Sequence, residues 1–399
     1  MNLYDYERRL NRPMRMKNVE FNREGRLKHV IFSQQFDPQR LSKLFSYADK
    51  IRTLAHDKKG CDQLRSLLSH KRAMLYFTQP STRTFLSFMA ACQILGITCN
   101  EVRDPKVSSE VKRESPIDSV RMFSSYFDVI IMRSIRANLA ETCAYLMNDL
   151  EGFNQRNVPI VNAGSGKDQH PTQALLDLYT IHRTFQFDHS EEIEHSRLTD
   201  LKQEFPELEI GIDNKIYAFC GDIGRGRTVR SLAYLLSQYK NSTMYFIAPD
   251  HSTLRMGDDL RDDLHAANVT VKEVDSLDGT IEGKPLLSQI DCLYMTRIQQ
   301  EHDSAEEKTA FDEIDFSNYH LTPERVSRMK CYAPILHPFP RDSQAQEIPV
   351  EIDADPRAMY FRQARNGMWI RAALLVHLFD AVEDLLAIYE DSFPFESTT

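Results

Sequence analysis

The chain has 399 residues, with 49 Lys and Arg against 58 Asp and Glu, a formal charge of −9 and 42% apolar side chains. That balance suits a folded chain with material for two cores, and argues against disorder and against a nucleic-acid protein, which would carry a basic face. No apolar run approaches the roughly 18 residues of a membrane span, the first 15 residues are charged, and seven cysteines stand singly; the expectation is a cytoplasmic chain with no signal peptide, membrane segment or disulfide framework.

In chain order, residues 1–30 are basic and polar (Arg8, Arg9, Arg12, Arg15, Lys17, Arg23, Arg26, Lys28) and read as an extended arm. Buried strands are predicted at 73–78, 128–133 and 158–163, then at 215–220, 244–248, 269–274, 292–296 and 334–337, each a β-branched or aromatic run. Helical periods fill the gaps, notably 171–183 and 228–239. The alternation is that of stacked βαβ units, giving an α/β fold of two doubly wound parallel-sheet domains joined by interdomain helices. The expected division is a domain at 31–183, completed by a C-terminal helix at 367–399, and a second at 184–366. A polar, acidic segment at 187–214 reads as an insertion; its His189 and His195 fit a solvated helix face better than a metal site.

Chemistry concentrates where predicted strands end. Ser81-Thr82-Arg83-Thr84 follows the first strand and opens a helix, where backbone amides, hydroxyls and a guanidinium suit a phosphate or another compact dianion. A plain helix cap would explain the hydroxyls but not the arginine. His170-Pro171-Thr172-Gln173, after Asn162-Ala163-Gly164-Ser165-Gly166, sets an imidazole beside a carboxamide, suited to a carbonyl oxygen and an amide nitrogen of a small ligand. Gly221-Asp222-Ile223-Gly224-Arg225-Gly226-Arg227-Thr228 lacks the dinucleotide spacing and is read as a turn presenting Arg227 and Thr228. Thr296-Arg297-Ile298-Gln299, His337-Pro338-Phe339-Pro340-Arg341 and Arg133 complete the set. Each arginine alone fits a surface ion pair; their recurrence at strand ends, the edge where open sheets bind ligands, favours a site for anions. With no P-loop, nucleophile elbow, HExxH motif or paired carboxylates, the expected chemistry is a bisubstrate transfer using neither metal nor cofactor.

In order, the phrases STRTFLSF, IIMRS, VPIVNAGSGKDQHPTQALLDLYTI, GDIGRGRTVRSL, YFIAPD, LYMTRIQ, ILHPFPR and YFRQARNGMWIRAALL resemble the catalytic chains of the aspartate carbamoyltransferase family, from about residue 73 to about 375. The resemblance implies transfer of the carbamoyl group of carbamoyl phosphate to L-aspartate in pyrimidine synthesis, with domain 31–183 for carbamoyl phosphate and 184–366 for aspartate. It further implies that Ser81, Thr82, Arg83 and Thr84 cradle phosphate and that Thr84, Arg133 and His170 polarise the carbonyl. Gln173 would hold the carbamoyl nitrogen, Arg227 and Arg297, with Thr228 and Gln299, would clamp the aspartate carboxylates, and the Pro338-Phe339-Pro340 backbone would accept from the amine or carbamoyl NH₂. A mobile loop of the adjacent subunit would add Ser108 and Lys112, or Ser109 and Arg113 in the neighbouring register, making the homotrimer the active form. A regulatory chain or dihydroorotase is a further implied partner. Phe339 stands where the family usually has Leu and His302 where it often has Arg. Two alternatives stay open: a non-catalytic homologue in a larger assembly, and an ornithine-type enzyme, against which Pro338 and the absence of Ser-Met-Gly argue.

Overall fold

A computed structural model of the chain describes residues 6–23, 25–103, 114–165, 169–186, 201, 203–206, 208–298, 314–343 and 346–394. Ser108, Ser109, Lys112, Arg113, Gln299 and His302 lie outside the described residues, as do positions 187–200 of the insertion. The chain divides into two compact units, Met1–Leu176 with Arg365–Thr399, and Asp177–Ala364.

The first unit is built on a parallel sheet of β1 (Arg72–Phe77), β2 (Thr98–Val102), β3 (Val129–Arg133) and β4 (Ile160–Asn162), in the order β2-β1-β3-β4. Along β1 the side chains alternate between faces. Met74 and Tyr76 join a core with Ile130, Met132 and Tyr145, whereas Phe77, of the opposite parity, meets Phe85 edge to face at 5.5 Å. Helices lie between the strands: α1 (Glu7–Leu10), α2 (Met14–Glu20), α3 (Pro38–Leu54) and α4 (Lys58–Leu67) before β1, and α5 (Thr82–Ile94), α6 (Pro116–Tyr126) and α7 (Leu139–Gly152) in the crossovers. Asp37 and Asp57 start α3 and α4 by accepting the Arg40 and Gly60 amides at 2.8 Å.

The second unit repeats the plan with β5 (Ile216–Cys220), β6 (Thr243–Ile247), β7 (Thr270–Val274), β8 (Cys292–Met295) and β9 (Ile335–Leu336), all parallel, in the order β9-β8-β5-β6-β7. Here Ala218, Cys220, Leu293 and Met295 face one core; Phe219 stacks on Phe246 at 5.1 Å on the other side. The predicted α/β class and all eight predicted strands are present. Helix α8 (Pro171–Phe185) follows β4, α9 (Arg227–Leu236) follows β5, and the long α10 of the C-terminal region runs Tyr360–Leu378.

One expectation needs correction. The arm is not extended: α1 and α2 lie on the first unit, Tyr6 and Phe21 are buried, and Phe21 packs on Tyr145 at 4.9 Å. Its cations meet acids of α7, Arg9 with Asp149 and Lys17 with Glu141 at 2.8 Å each, and Lys28 with Glu151. These partners lie more than a hundred residues away in sequence, so composition alone reads the arm as solvated. The insertion is likewise anchored at its end, where Leu201, Leu208 and Ile212 are buried and Phe205 meets Tyr332 at 4.9 Å.

His29 joins the arm to the sheet: its Nδ1 accepts the Ile160 amide at 3.0 Å, and Nε2 stands 3.1 Å from Asn148 Oδ1. Burial lowers its pKa from 6.5 to about 3. The imidazole is therefore neutral when folded but takes a proton more readily when unfolded. This stability is present above pH 6.5 and is lost as pH falls from 6.5 towards 3, to a limit of about 5 kcal/mol. His29→Asn, which keeps an acceptor for the Ile160 amide, should flatten the decline in unfolding free energy between pH 6.5 and 4; superimposable wild-type and variant curves would show that His29 does not contribute it.

Candidate active site

In an open parallel sheet the crevice forms where strand order reverses direction. In the first unit the chain runs from β1 out to β2 and returns to β3 on the other side of β1, so the switch lies between the carboxyl ends of β1 and β3. Those ends carry Ser81 to Thr84 and Arg133. Ser81 is the residue preceding α5, yet its hydroxyl caps none of the helix amides, so a plain cap does not account for it. The first intrahelical bond is Phe85 N–H to the Ser81 carbonyl at 3.2 Å; the amides of residues 82–84 precede it, at the positive end of the helix dipole. Thr82 and Arg83 are exposed, whereas Thr84 is buried with its hydroxyl 3.4 Å from His170 Nε2.

The next strand supplies the rest of this half. Arg133 donates to the Ala163 carbonyl at 3.2 Å. Between Arg133 and His170 sits Gly164, at φ +98°, where a Cβ would lie 2.7 Å from Arg133 Nη1 and 2.8 Å from His170 Cδ2. Only glycine permits both side chains to close over that backbone. Asn162 shapes the turn, its Oδ1 accepting the amides of Gly164 and Ser165 at 2.9 Å. Gln173, on the first turn of α8, is buried beside them in sequence and donates its backbone amide to the His170 carbonyl at 3.0 Å. Thr84, Arg133 and His170 are thus brought together. Gly164 and Asn162 join them as site residues that motif reading does not single out, although the Asn-Ala-Gly-Ser turn is visible in the sequence.

In the second unit the order reverses between β5 and β8, whose ends carry the Gly221–Thr228 loop and Thr296-Arg297. Gly221, at φ +117°, brings the two ends together: a Cβ there would lie 2.1 Å from the Thr296 carbonyl oxygen. The two loop arginines play different parts. Arg225 turns onto the fully buried Asp222, Nε to Oδ2 at 2.9 Å and Nη2 at 2.7 Å, and braces the loop. Arg227 is the first residue of α9, followed by Thr228, whose side chain hydrogen-bonds the Tyr294 hydroxyl. Arg297 is half-buried just beyond β8.

The Pro338-Phe339-Pro340 turn follows β9. Phe339 has φ +57°, unusual for a bulky side chain, and its amide donates to His337 Nδ1 at 2.8 Å. His337 is buried, and burial, with Arg341 and Arg297 near, keeps its pKa low against the opposing pull of Glu347. An accepting Nδ1 puts the hydrogen on Nε2, which stands 3.0 Å from Glu347 Oε1, in an oblique contact rather than a well-aligned hydrogen bond. Glu347 also accepts the Asp342 amide on both oxygens at 3.1 Å, holding the far side of the turn. Arg341 forks onto Asp353 at 2.7 and 3.1 Å and lies over the Phe339, Tyr360 and Phe361 rings. It braces the turn rather than facing a ligand.

A cavity of about 570 Å³ lined by Arg328, Lys330 and Arg357 is a poor competitor. Each of these cations is already held by a carboxylate, Asp278, Asp291 and Asp355, at 2.7 to 2.8 Å. Among the described residues no cluster of His, Cys, Asp and Glu is arranged to hold a metal ion, and no helix is long and apolar enough to cross a membrane.

Comparison with known proteins matches these two half-sites to two family models: the carbamoyl-P binding domain of aspartate/ornithine carbamoyltransferases over residues 28–183, and their Asp/Orn binding domain over 213–378. The aspartate carbamoyltransferase catalytic subunit of Methanocaldococcus jannaschii is 36% identical over 355 residues, 89% of this chain and 98% of that one. The chloroplastic aspartate carbamoyltransferase of Oryza sativa is 35% identical over 356 residues, 88% of this chain and 84% of that one. Among solved structures, the M. jannaschii aspartate transcarbamoylase catalytic subunit matches with a TM-score of 0.68 at 34% identity, covering 90% of this chain and 99% of that one. The Trypanosoma cruzi aspartate transcarbamoylase in complex with carbamoyl phosphate and aspartate matches with a TM-score of 0.71 at 29% identity, covering 87% and 95%.

Gly164→Ala tests the closeness of the first half-site. The added Cβ should push Arg133 and His170 apart and lower unfolding free energy by about 1–3 kcal/mol, read by denaturation and by a crystal structure of the variant. Unmoved side chains and unchanged stability would mean that the tight approach is not needed.

Proposed function

The chain belongs to the aspartate/ornithine carbamoyltransferase family, and from that premise we propose that it transfers the carbamoyl group of carbamoyl phosphate to the amine of L-aspartate, giving N-carbamoyl-L-aspartate and phosphate. The observation that carries the reading is the coincidence of each sheet's switch point with one half of the chemistry. The start of α5, an arginine and an imidazole lie in the first unit, and two planar cations flank the reversal in the second. The choice of aspartate over ornithine is supported by relatives named as aspartate carbamoyltransferases and by Arg227 and Arg297, whose forks suit a dicarboxylate.

In this mechanism Ser81, Thr82, Arg83 and Thr84 hold the phosphate, with the α5 dipole favouring the dianion. Thr84, Arg133 and His170 donate to the carbamoyl oxygen, where negative charge grows as the amine attacks. Gln173 fixes the carbamoyl nitrogen. Arg227 and Arg297, with Thr228 and Gln299, hold the aspartate carboxylates, and the backbone of Pro338, Phe339 and Pro340 accepts from the amine or carbamoyl NH₂. The new C–N bond forms as the carbonyl–phosphate C–O bond breaks, and the departing phosphate can take the amine proton. Lys112 and Ser108 reach this site from a neighbouring subunit, so the active form is a homotrimer with shared sites; a regulatory chain or dihydroorotase can add to it. Residues 31–183 with 367–399 serve carbamoyl phosphate and 184–366 serve aspartate. The seven cysteines stand singly along the sequence, which supports a reducing compartment, the cytoplasm.

The direct test is carbamoyl-aspartate production by purified protein given carbamoyl phosphate with aspartate or, in parallel, with ornithine; turnover on ornithine alone, or on neither by a trimer, overturns the reading. Arg297→Ala should raise the aspartate KM roughly 10- to 150-fold, the loss of a charge-assisted fork, with little change for carbamoyl phosphate. Arg83→Ala should do the reverse. An aspartate dependence that is unaltered in the first variant, or wild-type turnover in the second, would remove that residue from the site.

A further inference from the structure

One carboxyl in the second unit has no part in that mechanism yet reaches two of its elements. Asp177, on α8, is fully buried. Its Oδ2 accepts the Tyr294 hydroxyl at 2.8 Å and its Oδ1 accepts the Gln363 side-chain amide at 2.6 Å. Gln363, also buried, uses its Oε1 to accept the His337 backbone amide at 2.9 Å. Tyr294, the last-but-one residue of β8, hydrogen-bonds the side chain of Thr228. From one buried carboxyl, one branch therefore ends at Thr228, beside Arg227, and the other at His337, which holds the Phe339 amide.

We propose that Asp177 is a positioning residue for the amino-acid half-site, fixing through Tyr294 and Gln363 the start of α9 and the turn 338–340. The proposal rests on the reading of Arg227, Thr228 and that turn as the aspartate site. The reason is directional. Gln363 must point its oxygen at His337 N–H, because a backbone amide there can only donate, and so must present its NH₂ to Asp177. An acceptor on both oxygens, which a carboxyl at 177 supplies, then satisfies Gln363 and Tyr294 together. An apolar residue of the same size would leave Gln363 free to turn over and release His337, and would leave the Tyr294 hydroxyl without this acceptor.

Exchanging the two groups reverses the direction of the bond between them. In Asp177→Asn, one of the two donors faces an NH₂ in place of an oxygen. In Gln363→Glu, two carboxyls face each other. In the double variant the order is restored: the carboxamide now at position 177 donates its NH₂ to one oxygen of the carboxylate now at 363, the other carboxylate oxygen accepts His337 N–H, and the carboxamide oxygen accepts the Tyr294 hydroxyl. With full-length enzyme, each single variant should raise the aspartate KM about tenfold or more while the carbamoyl phosphate KM stays within about twofold, and the double variant should return to within about threefold of wild type. Tyr294→Phe, which removes one hydroxyl without adding charge, should raise the aspartate KM several-fold and serves if a single variant does not fold. The proposal is overturned if the double variant is no better than the worse single, if Tyr294→Phe and Asp177→Asn leave the aspartate KM unmoved, or if both KM values rise together, as general loosening would cause. Wild-type enzyme that turns over no aspartate would instead overturn the functional reading itself.

Discussion

The backbone of a parallel strand must be carried back to the same end of the sheet before it can pair again, and from this constraint the rest of the molecule follows. Every crossover places a strand's carboxyl end and the amino end of a following helix on one edge, so unsatisfied amides and positive dipole ends collect there. Where the strand order reverses, the two adjacent crossovers leave on opposite faces and a crevice opens between them. The chain does this twice, between β1 and β3 and between β5 and β8, and in each case the residues at the reversal suit an anion. Glycine marks both crevices for the same reason: at Gly164 and Gly221 the backbone runs so near a neighbouring group that a methyl would collide with it.

A net charge of −9 looks ill suited to a protein that binds anions, but many of the acids are engaged by the arginines and lysines that brace the fold. Asp222 holds Arg225, Asp353 holds Arg341 and Asp355 holds Arg357. Position in the fold separates two classes of cation. Those three arginines are each tied to a carboxylate nearby in sequence and so stiffen a loop, whereas Arg83, Arg227 and Arg297 occupy strand ends or helix starts at the two reversals. In the arm the same device works over long range, with α7 supplying the acids. Of the arm's pairs Lys17 with Glu141 is the most deeply buried; there the Tyr145 hydroxyl adds a bond to Glu141 at 3.0 Å, the satisfaction that a buried pair requires.

Legibility in the sequence follows the range of the interactions. Strands buried on both faces, such as Ala73 to Phe77, read directly because each is a continuous apolar run. Thr98–Val102 escapes such a reading: as an edge strand, half exposed, its Thr-Cys-Asn-Glu-Val has neither run nor alternation. The arm's helices escape it too, because what orders them is a set of acids and aromatics on a distant helix. The candidate site divides in the same way. Ser81 to Thr84, His170 to Gln173 and Arg227-Thr228 are local motifs at strand ends and can be recognised in place. Asp177, Gln363 and Glu347 cannot, since each owes its meaning to a partner brought up by tertiary folding, and an Asp or Gln inside a helical period carries no signal of its own.

That difference points to what the buried polar groups do for the second unit. Apolar packing is tolerant of small rotations, and the cores of both sheets would keep most of their stability if a turn at their edge shifted slightly. Holding a dicarboxylate by two forks, as proposed for this unit, is not tolerant of such a shift. The turn at Phe339 is moreover held at a positive φ that its own side chain disfavours. Something directional has to hold it. His337 N–H, His337 Nδ1 and the Asp342 amide are each fixed by one specific acceptor or donor, Gln363, Phe339 N–H and Glu347, so the turn has one hydrogen-bonded arrangement rather than a family of near-equivalents. Burial makes that choice firm, because away from water a donor that loses its partner finds no substitute.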